Sequence, residues 1–415
     1  MKKNYFMLAL ASMMMAACAN NDLVDVGVVK EEVPQAIGFE TFAQKATRAE
    51  NSEENYSQDL GDHHTSFEVY AYKNVSTTRV FDNETVEYTA ATTGNDGSTI
   101  PAKWSYEGLV YWDKTASEYN FYAAAPAANY WTLNDKKDNS NKVIQDQSYF
   151  TITGHAITAH NATVANDHSY VDVFGSTATD LMIAATEQVN ANSTQALFAD
   201  VQLDFIHILS RLNITVSKHS DISDKIVTLN SLTVNNLYGK GDFDENSELE
   251  TELSAGTTAR WSVTDYSANK INYESLEEEE LHEASSTTPA EYMLQSLVIP
   301  QTVAYEPIAL DGTGIANATA PYICITYTIA DGYTNDSGDF VTTSSEQFVA
   351  YYNLAAAFGL RPTTNNDGSV TPASPLAFNE GWQNTLNITL QPGAISFSAN
   401  VATWDDNQTQ SLPIN

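Results

Sequence analysis

ISFSANVATW, residues Ile395 to Trp404, is the stretch that decides the fold class. Its apolar residues fall on alternate positions. Ile395, Phe397, Ala399 and Val401 share one side, and Ser396, Ser398 and Asn400 share the other. Successive side chains of an extended chain point to opposite sides, so a period of two marks a strand with one covered and one open face. Working back from this run, similar ones recur between clusters of Asn, Asp, Gly and Ser: NTLNITL from Asn384, FVAYYNLA from Phe348, ICITYTIA from Ile323, YMLQSLVIP from Tyr292 and VTLNSLTV from Val227. Earlier still come LDFIHILSRLNITV from Leu203, DLMIAA from Asp180, YNFYAAAP from Tyr119 and FEVYAY from Phe67. All are rich in the β-branched and aromatic residues that suit a pleated surface. Long amphipathic helices are hard to find. Many short strands between turn signals predict an all-β protein built as two tandem β-sandwiches rather than one large sheet.

Length and composition agree. The chain has 415 residues, enough for two domains. A polar segment, EQVNANSTQA from Glu187, places the boundary near residue 195 and gives domains over 49–195 and 196–393. LEEEELHE from Leu276 and RPTTNNDGSVTPAS from Arg361 read as surface loops. There are 53 acidic against 19 basic residues, a formal charge of −34. That excludes a nucleic-acid partner, which requires cationic patches to displace counterions, and argues against an electrostatic hold on anionic lipid. Hydrophobic residues make up 42% of the chain and tyrosines number 22, too much apolar and aromatic material for a disordered acidic chain.

The N-terminus reads as an export signal over residues 1–18. Lys2 and Lys3 precede an apolar run from Tyr5 to Ala17, too short to span a bilayer. Met15-Ala16-Ala17-Cys18 resembles a bacterial lipobox, in which the cysteine is lipidated and anchored to the outer membrane. With Cys18 consumed by lipid, Cys324 is left alone and no internal disulfide is possible. Cys324 lies in the apolar run PYICITYTIA and reads as a small buried hydrophobe. Residues 19–48 hold a polar tether and a strand-like AIGFETF from Ala36. KATRAENSEENYSQDLGDHH, from Lys45, has no apolar periodicity and reads as an exposed loop open to proteases.

Catalytic patterns are poor. The chain lacks a Walker-type loop, a GxSxG elbow and an HExxH pair. His63 and His64, beside Asp62, are adjacent residues whose side chains diverge on a strand, a poor metal pair. His207 sits on an apolar strand and reads as a core histidine bonded to backbone rather than a general base. No two carboxylates stand out as a glycosidase pair. Neither catalytic residue, metal ligand nor cofactor is assigned. Trp104, Trp112, Trp382 and Trp404 flank strands and read as packing residues. Stacking on sugars is the other role open to them.

In order along the chain, several runs resemble the fimbrillin family of Bacteroidales, lipoprotein subunits of type V pili. They are the lipobox ending at Cys18, AIGF and TRA through Ala49, FEVYAY, KWSYEGLVYWDK from Lys103, YNFYAAAP, DLMIAA and FIHILSRLNITV. SLVIPQ from Ser296 and EGWQNTLNITL through ISFSANVATW complete the set. The resemblance implies transthyretin-like Greek-key sandwiches, an extracellular pilus reached through a lipid-anchored precursor, and other pilin subunits as partners. It also implies an arginine-directed protease that removes the first strand by cutting Arg48-Ala49. Loss of a strand bares an apolar groove and an unpaired edge, a template for a donor strand from a neighbour. The segment 394–415 suits that donor role through Ile395, Phe397, Ala399 and Val401. The leaving strand carries Ile37 and Phe39 at the same spacing, so AIGF and AISF match. ISFSANVATW is equally readable as an ordinary last strand of the second sandwich. A lipid-retaining pilus anchor and a monomeric glycan-binding surface lipoprotein stay open as alternatives.

Overall fold

The computed structural model describes residues 34–43, 60 and 64–412 apart from connecting segments, the longer being 158–178, 190–198, 247–256, 264–269, 285–290, 309–318 and 404–410. Nearly all regular structure is strand. In chain order the first strands are β1 (Phe39–Ala43), β2 (Ser66–Lys73), β3 (Arg79–Thr89), β4 (Lys103–Tyr106), β5 (Glu118–Ala125), β6 (Thr132–Asn134) and β7 (Tyr149–Ala156). Next come β8 (Met182–Val189), β9 (Val201–His207), β10 (Ser210–Lys218), β11 (Ile226–Tyr238), β12 (Lys240–Asp244) and β13 (Trp261–Ser262). The last are β14 (Lys270–Ser275), β15 (Glu291–Val298), β16 (Tyr322–Thr334), β17 (Phe340–Asn353), β18 (Trp382–Gln391) and β19 (Ala394–Thr403). No helix among the described residues is long and apolar enough to cross a membrane.

The protein is all-β, with two tandem β-sandwiches. In the first, seven strands run β1-β9-β8-β5-β2-β3-β4. The sheet curls until its ends meet: the rings of Phe39 and Tyr106, on opposite edge strands, lie 5.9 Å apart. Inside the curl sits a core of Phe39, Phe67, Phe81, Trp112, Tyr119, Phe121, Leu203 and Phe205. In the second sandwich, β15-β10-β18-β19 face β14-β11-β16-β17 across a core that includes Leu212, Ile214, Leu232, Val234, Ile325 and Ile388. Each sandwich pairs its first strand parallel to a late one, β1 with β9 and β10 with β18.

A third core joins the two. β12 and β13, which follow the opening strands of the second sandwich, pair onto β7 and β6 in one sheet with the short strand Thr257–Thr258. Tyr70, Tyr72, Trp131, Phe150, Phe243, Trp261, Leu297 and Ile299 pack beneath it. β2 and β5 are therefore covered on both faces, which is why FEVYAY and YNFYAAA read as continuous apolar runs. Trp261 Nε1 donates to Ile208 O at 2.7 Å, and Ile208 and Leu209 are fully buried.

Several sequence expectations are modified. The run from Leu203 is two strands: β9 completes the first sheet and β10 opens the second sandwich. The chain thus changes sandwich at the buried, apolar Ile208-Leu209 and not at the polar segment near 195, because the link is packed in the joint. Leu60 and His64, inside the presumed exposed loop, are buried, and Leu60 belongs to the first core. Glu279–Glu280 of the acidic run is a short strand against β11, with Leu281 buried in the second core. Cys324 lies on the outward face of β16, half-buried and free, rather than in the core; partial burial pushes its thiol pKa up.

Candidate functional site

β1 and the slot that holds it form the candidate site. Two features of the chain place β1 there. Ile37 and Phe39 alternate with Gly38 and Glu40, so both apolar side chains turn inward while the intervening positions face out. Ile37 is 1% exposed and Phe39 6%. The Phe39 ring meets the edges of Phe81 at 5.6 Å, Phe67 at 5.8 Å and Phe121 at 6.2 Å, besides Tyr106. Each such edge-on pair adds about 1 kcal/mol beyond the area it buries. Thr41 continues the inward row.

The backbone of β1 is held from two sides at two levels. Before the strand proper, Ile37 N–H donates to Val110 O at 2.8 Å, and Ala36 bridges Tyr111 in antiparallel sense. The Tyr106 hydroxyl donates to Ile37 O, also at 2.8 Å. From Phe39 onward the strand pairs parallel with β9, Phe39 opposite Val201 through Ala43 opposite Phe205. Gly38 is the changeover, accepting Val201 N–H at 2.8 Å. A methyl on Gly38 would lie 2.1 Å from Asp200 Oδ1, so any side chain here has to displace that exposed carboxylate. β1 is therefore a five-residue edge strand anchored mainly by two side chains, with a hydrogen-bonding rim on β9 that its departure would leave unpaired.

The second half of the site is β19. It forms a hairpin with β18 in which Leu390, Ile388, Leu386 and Asn384 stand opposite Ile395, Phe397, Ala399 and Val401. The alternation read from the sequence holds: Ala399 is buried, Ile395 and Phe397 are half-buried against the second core, and Ser396 and Ser398 are exposed. The Phe397 ring contacts Tyr352 at 4.6 Å. In the single chain the segment is thus seated in its own sandwich, near the sheet edge with only the short strand Ser411–Leu412 beyond it. The structure does not bring β1 and β19 together; they occupy different sheets.

Cys18, Arg48, Ala49, Asp62, His63 and Trp404 lie outside the described residues. His207 is buried as expected, but its Nδ1 lies 2.5 Å from the Asp180 carboxylate. Among the described residues no group of three or more His, Cys, Asp or Glu could hold a metal ion. Trp112 is packed in the first core, Trp104 is half-buried against Phe67 at 4.9 Å, and Trp382 is exposed. Of the two ring pairs nearest to parallel among the described residues, Tyr119–Phe121 is buried and Tyr327–Phe348 joins a buried ring to a half-buried one, while Tyr322–Tyr351 and Tyr88–Trp104 are tilted by 55° and 48°. Leu60, the anchor that follows the unassigned loop, was missed by sequence reading because one leucine among polar residues has no periodicity to reveal it. Glu68 was also missed. It is a buried residue of β2, accepts Tyr70 OH at 3.0 Å, and burial pushes its carboxyl pKa up to about 7.

Comparison with known proteins adds the following. A family profile described as fimbrillin-like matches residues 47–404. No curated protein matches. Among solved structures, the chain is similar to a fimbrial protein from Bacteroides vulgatus: 15% identity, 89% of this chain and 99% of that one, TM-score 0.45. It is also similar to a candidate cell adhesion protein from Bacteroides uniformis, at 14% identity over 89% and 98% of the two chains with TM-score 0.36. A third, a candidate cell adhesion protein from Bacteroides ovatus, is 9% identical over 90% and 98%, with TM-score 0.39.

Proposed function

The chain belongs to the fimbrillin-like family, and from that premise we propose that it is a pilus subunit primed by cleavage after Arg48 and polymerised by donor-strand exchange. Family membership supports a structural subunit of a cell-surface fimbria that assembles with other pilin subunits. The finer reading is ours: export as a lipoprotein through Cys18, removal of β1 by an arginine-directed protease, and insertion of a neighbour's Ile395–Val401 segment into the vacated slot.

One observation carries it. β1 is an edge strand, joined to the rest of its sandwich only through the segment that contains Arg48. Cutting there leaves β1 held by noncovalent contacts alone and frees the subunit from Cys18 in the same event. The shortened chain would begin at Ala49 and would still be pinned by Leu60 in the first core. The slot then offers apolar pockets for alternate side chains and an open β9 edge, the two requirements of strand addition. The structure corresponds to the unassembled state on this reading, with β1 filling its groove and β19 at home.

Because β19 covers part of the second core, deleting it would confuse release with unfolding. A reversible lock separates the two. Asn387 and Ser398 stand opposite each other on the outward face of the β18–β19 hairpin. With Asn387→Cys and Ser398→Cys in a Cys324→Ser background, the reduced protein should polymerise and the oxidised protein should not. Polymer formation with the bond closed would refute the donor assignment.

A further inference from the structure

The outward face of the slot carries a row of side chains that the apolar anchors do not explain. Asp200, just before β9, and Gln202 and Asp204 on it are exposed on the outward side, flanking the outward positions Gly38, just before β1, and Glu40. Glu40 stands directly opposite Gln202, so it brings a carboxylate between Asp200 and Asp204 on the same face. Glu40 and the two aspartates are diagonal neighbours, about 7–8 Å apart, so their repulsion on this exposed face is modest but all of one sign. Asp200 also closes over Gly38, with the carboxylate occupying the space a Cβ would need.

Aligning the donor so that Ile395 and Phe397 take the pockets of Ile37 and Phe39 fixes what its other face presents. Ser396 falls at Gly38 and Ser398 falls at Glu40. The serine Cβ displaces the exposed Asp200 carboxylate, and its hydroxyl then donates a charge-assisted hydrogen bond to it. Ser398 removes the carboxylate that Glu40 had placed between two others. We propose that Asp200 and Asp204 form a selectivity element that reads the outward row of the occupying strand, accepting the neutral, hydroxyl-bearing row of a second copy of this chain and rejecting acidic rows. On this account the exchange of β1 for β19 is favoured by the outward face as well as by the pockets. The leaving strand is the worse fit, which gives the exchange a direction. The inference rests on the donor-strand reading above.

The test compares polymer-to-monomer ratios on gels of surface fractions from cells producing the full chain. Ser396→Asp should lower the ratio about tenfold or more, the scale of one imposed like-charge contact. Adding Asp200→Lys to that variant should restore it to within about twofold of the parent. Ser396 is exposed in its own hairpin, so the Ser396→Asp monomer should melt as the parent does. Ser396→Asn, which is neutral, should polymerise normally and serves if the aspartate variant folds poorly; its failure would count against a charge-reading row. An unchanged ratio in Ser396→Asp, or a loss that Asp200→Lys does not repair, overturns the proposal. Absence of any polymer in the parent chain overturns the donor-strand reading itself instead.

Discussion

Phe39 shows how much of the slot rests on one side chain. Truncation to alanine removes a ring held by four others and leaves a cavity, so Phe39→Ala should cost about 3 kcal/mol of unfolding free energy, read from the denaturant midpoint. Ile37 and Phe39 were legible because their alternation survives in a short strand. The close contact of Gly38 was not, since it is made with Asp200, distant in sequence and close only after folding. Glu68 was equally hidden, being one acidic residue in an acidic chain. Its raised pKa sets a sign. Between about pH 4.5 and 7 the folded chain keeps this proton while the unfolded chain has lost it, so the contribution to stability falls as pH rises through that window. Glu68→Gln should therefore be more stable than the parent at pH 8 and should flatten the slope between pH 5 and 7, measured by melts across that range. An unchanged slope would place the titrating group elsewhere, with Glu245 and Glu380, also raised by burial, the next to examine.

At the scale of elements, strand content and strand faces were well marked, because period-two alternation is a local property. What local pattern does not carry is partnership. β19 reads the same whether it completes its own sandwich or a neighbour's; in the single chain it pairs with β18 across its whole length. Similarly, LDFIHILSRLNITV reads as one run, although its two halves join different sheets. Like β4 at the opposite edge, β1 is both terminal in its sheet and short. Its amides should exchange with deuterium well before those of β2 and β5, which lie inside the sheet and are covered on both faces. Protection of β1 equal to theirs would mean that the strand is not poised to leave.

Across the whole molecule, the joint was the feature least visible in the sequence. A polar segment near residue 195 suggested a linker, yet the two sandwiches share a sheet and a core, and the crossing residues Ile208 and Leu209 are buried. A shared core couples their stabilities, so a single cooperative thermal transition is expected by calorimetry, and two separate transitions would contradict the coupling. On the strand-exchange proposal, the net charge of −34 keeps subunits apart until a specific strand contact overrides repulsion. All of this turns on whether β1 is removed when the subunit enters a fibre. The most direct measurement is the N-terminal sequence of the chain recovered from high-mass surface polymer. A start at Ala49 is the predicted result; polymer whose chains still begin at a lipidated Cys18, with β1 retained, would contradict the account.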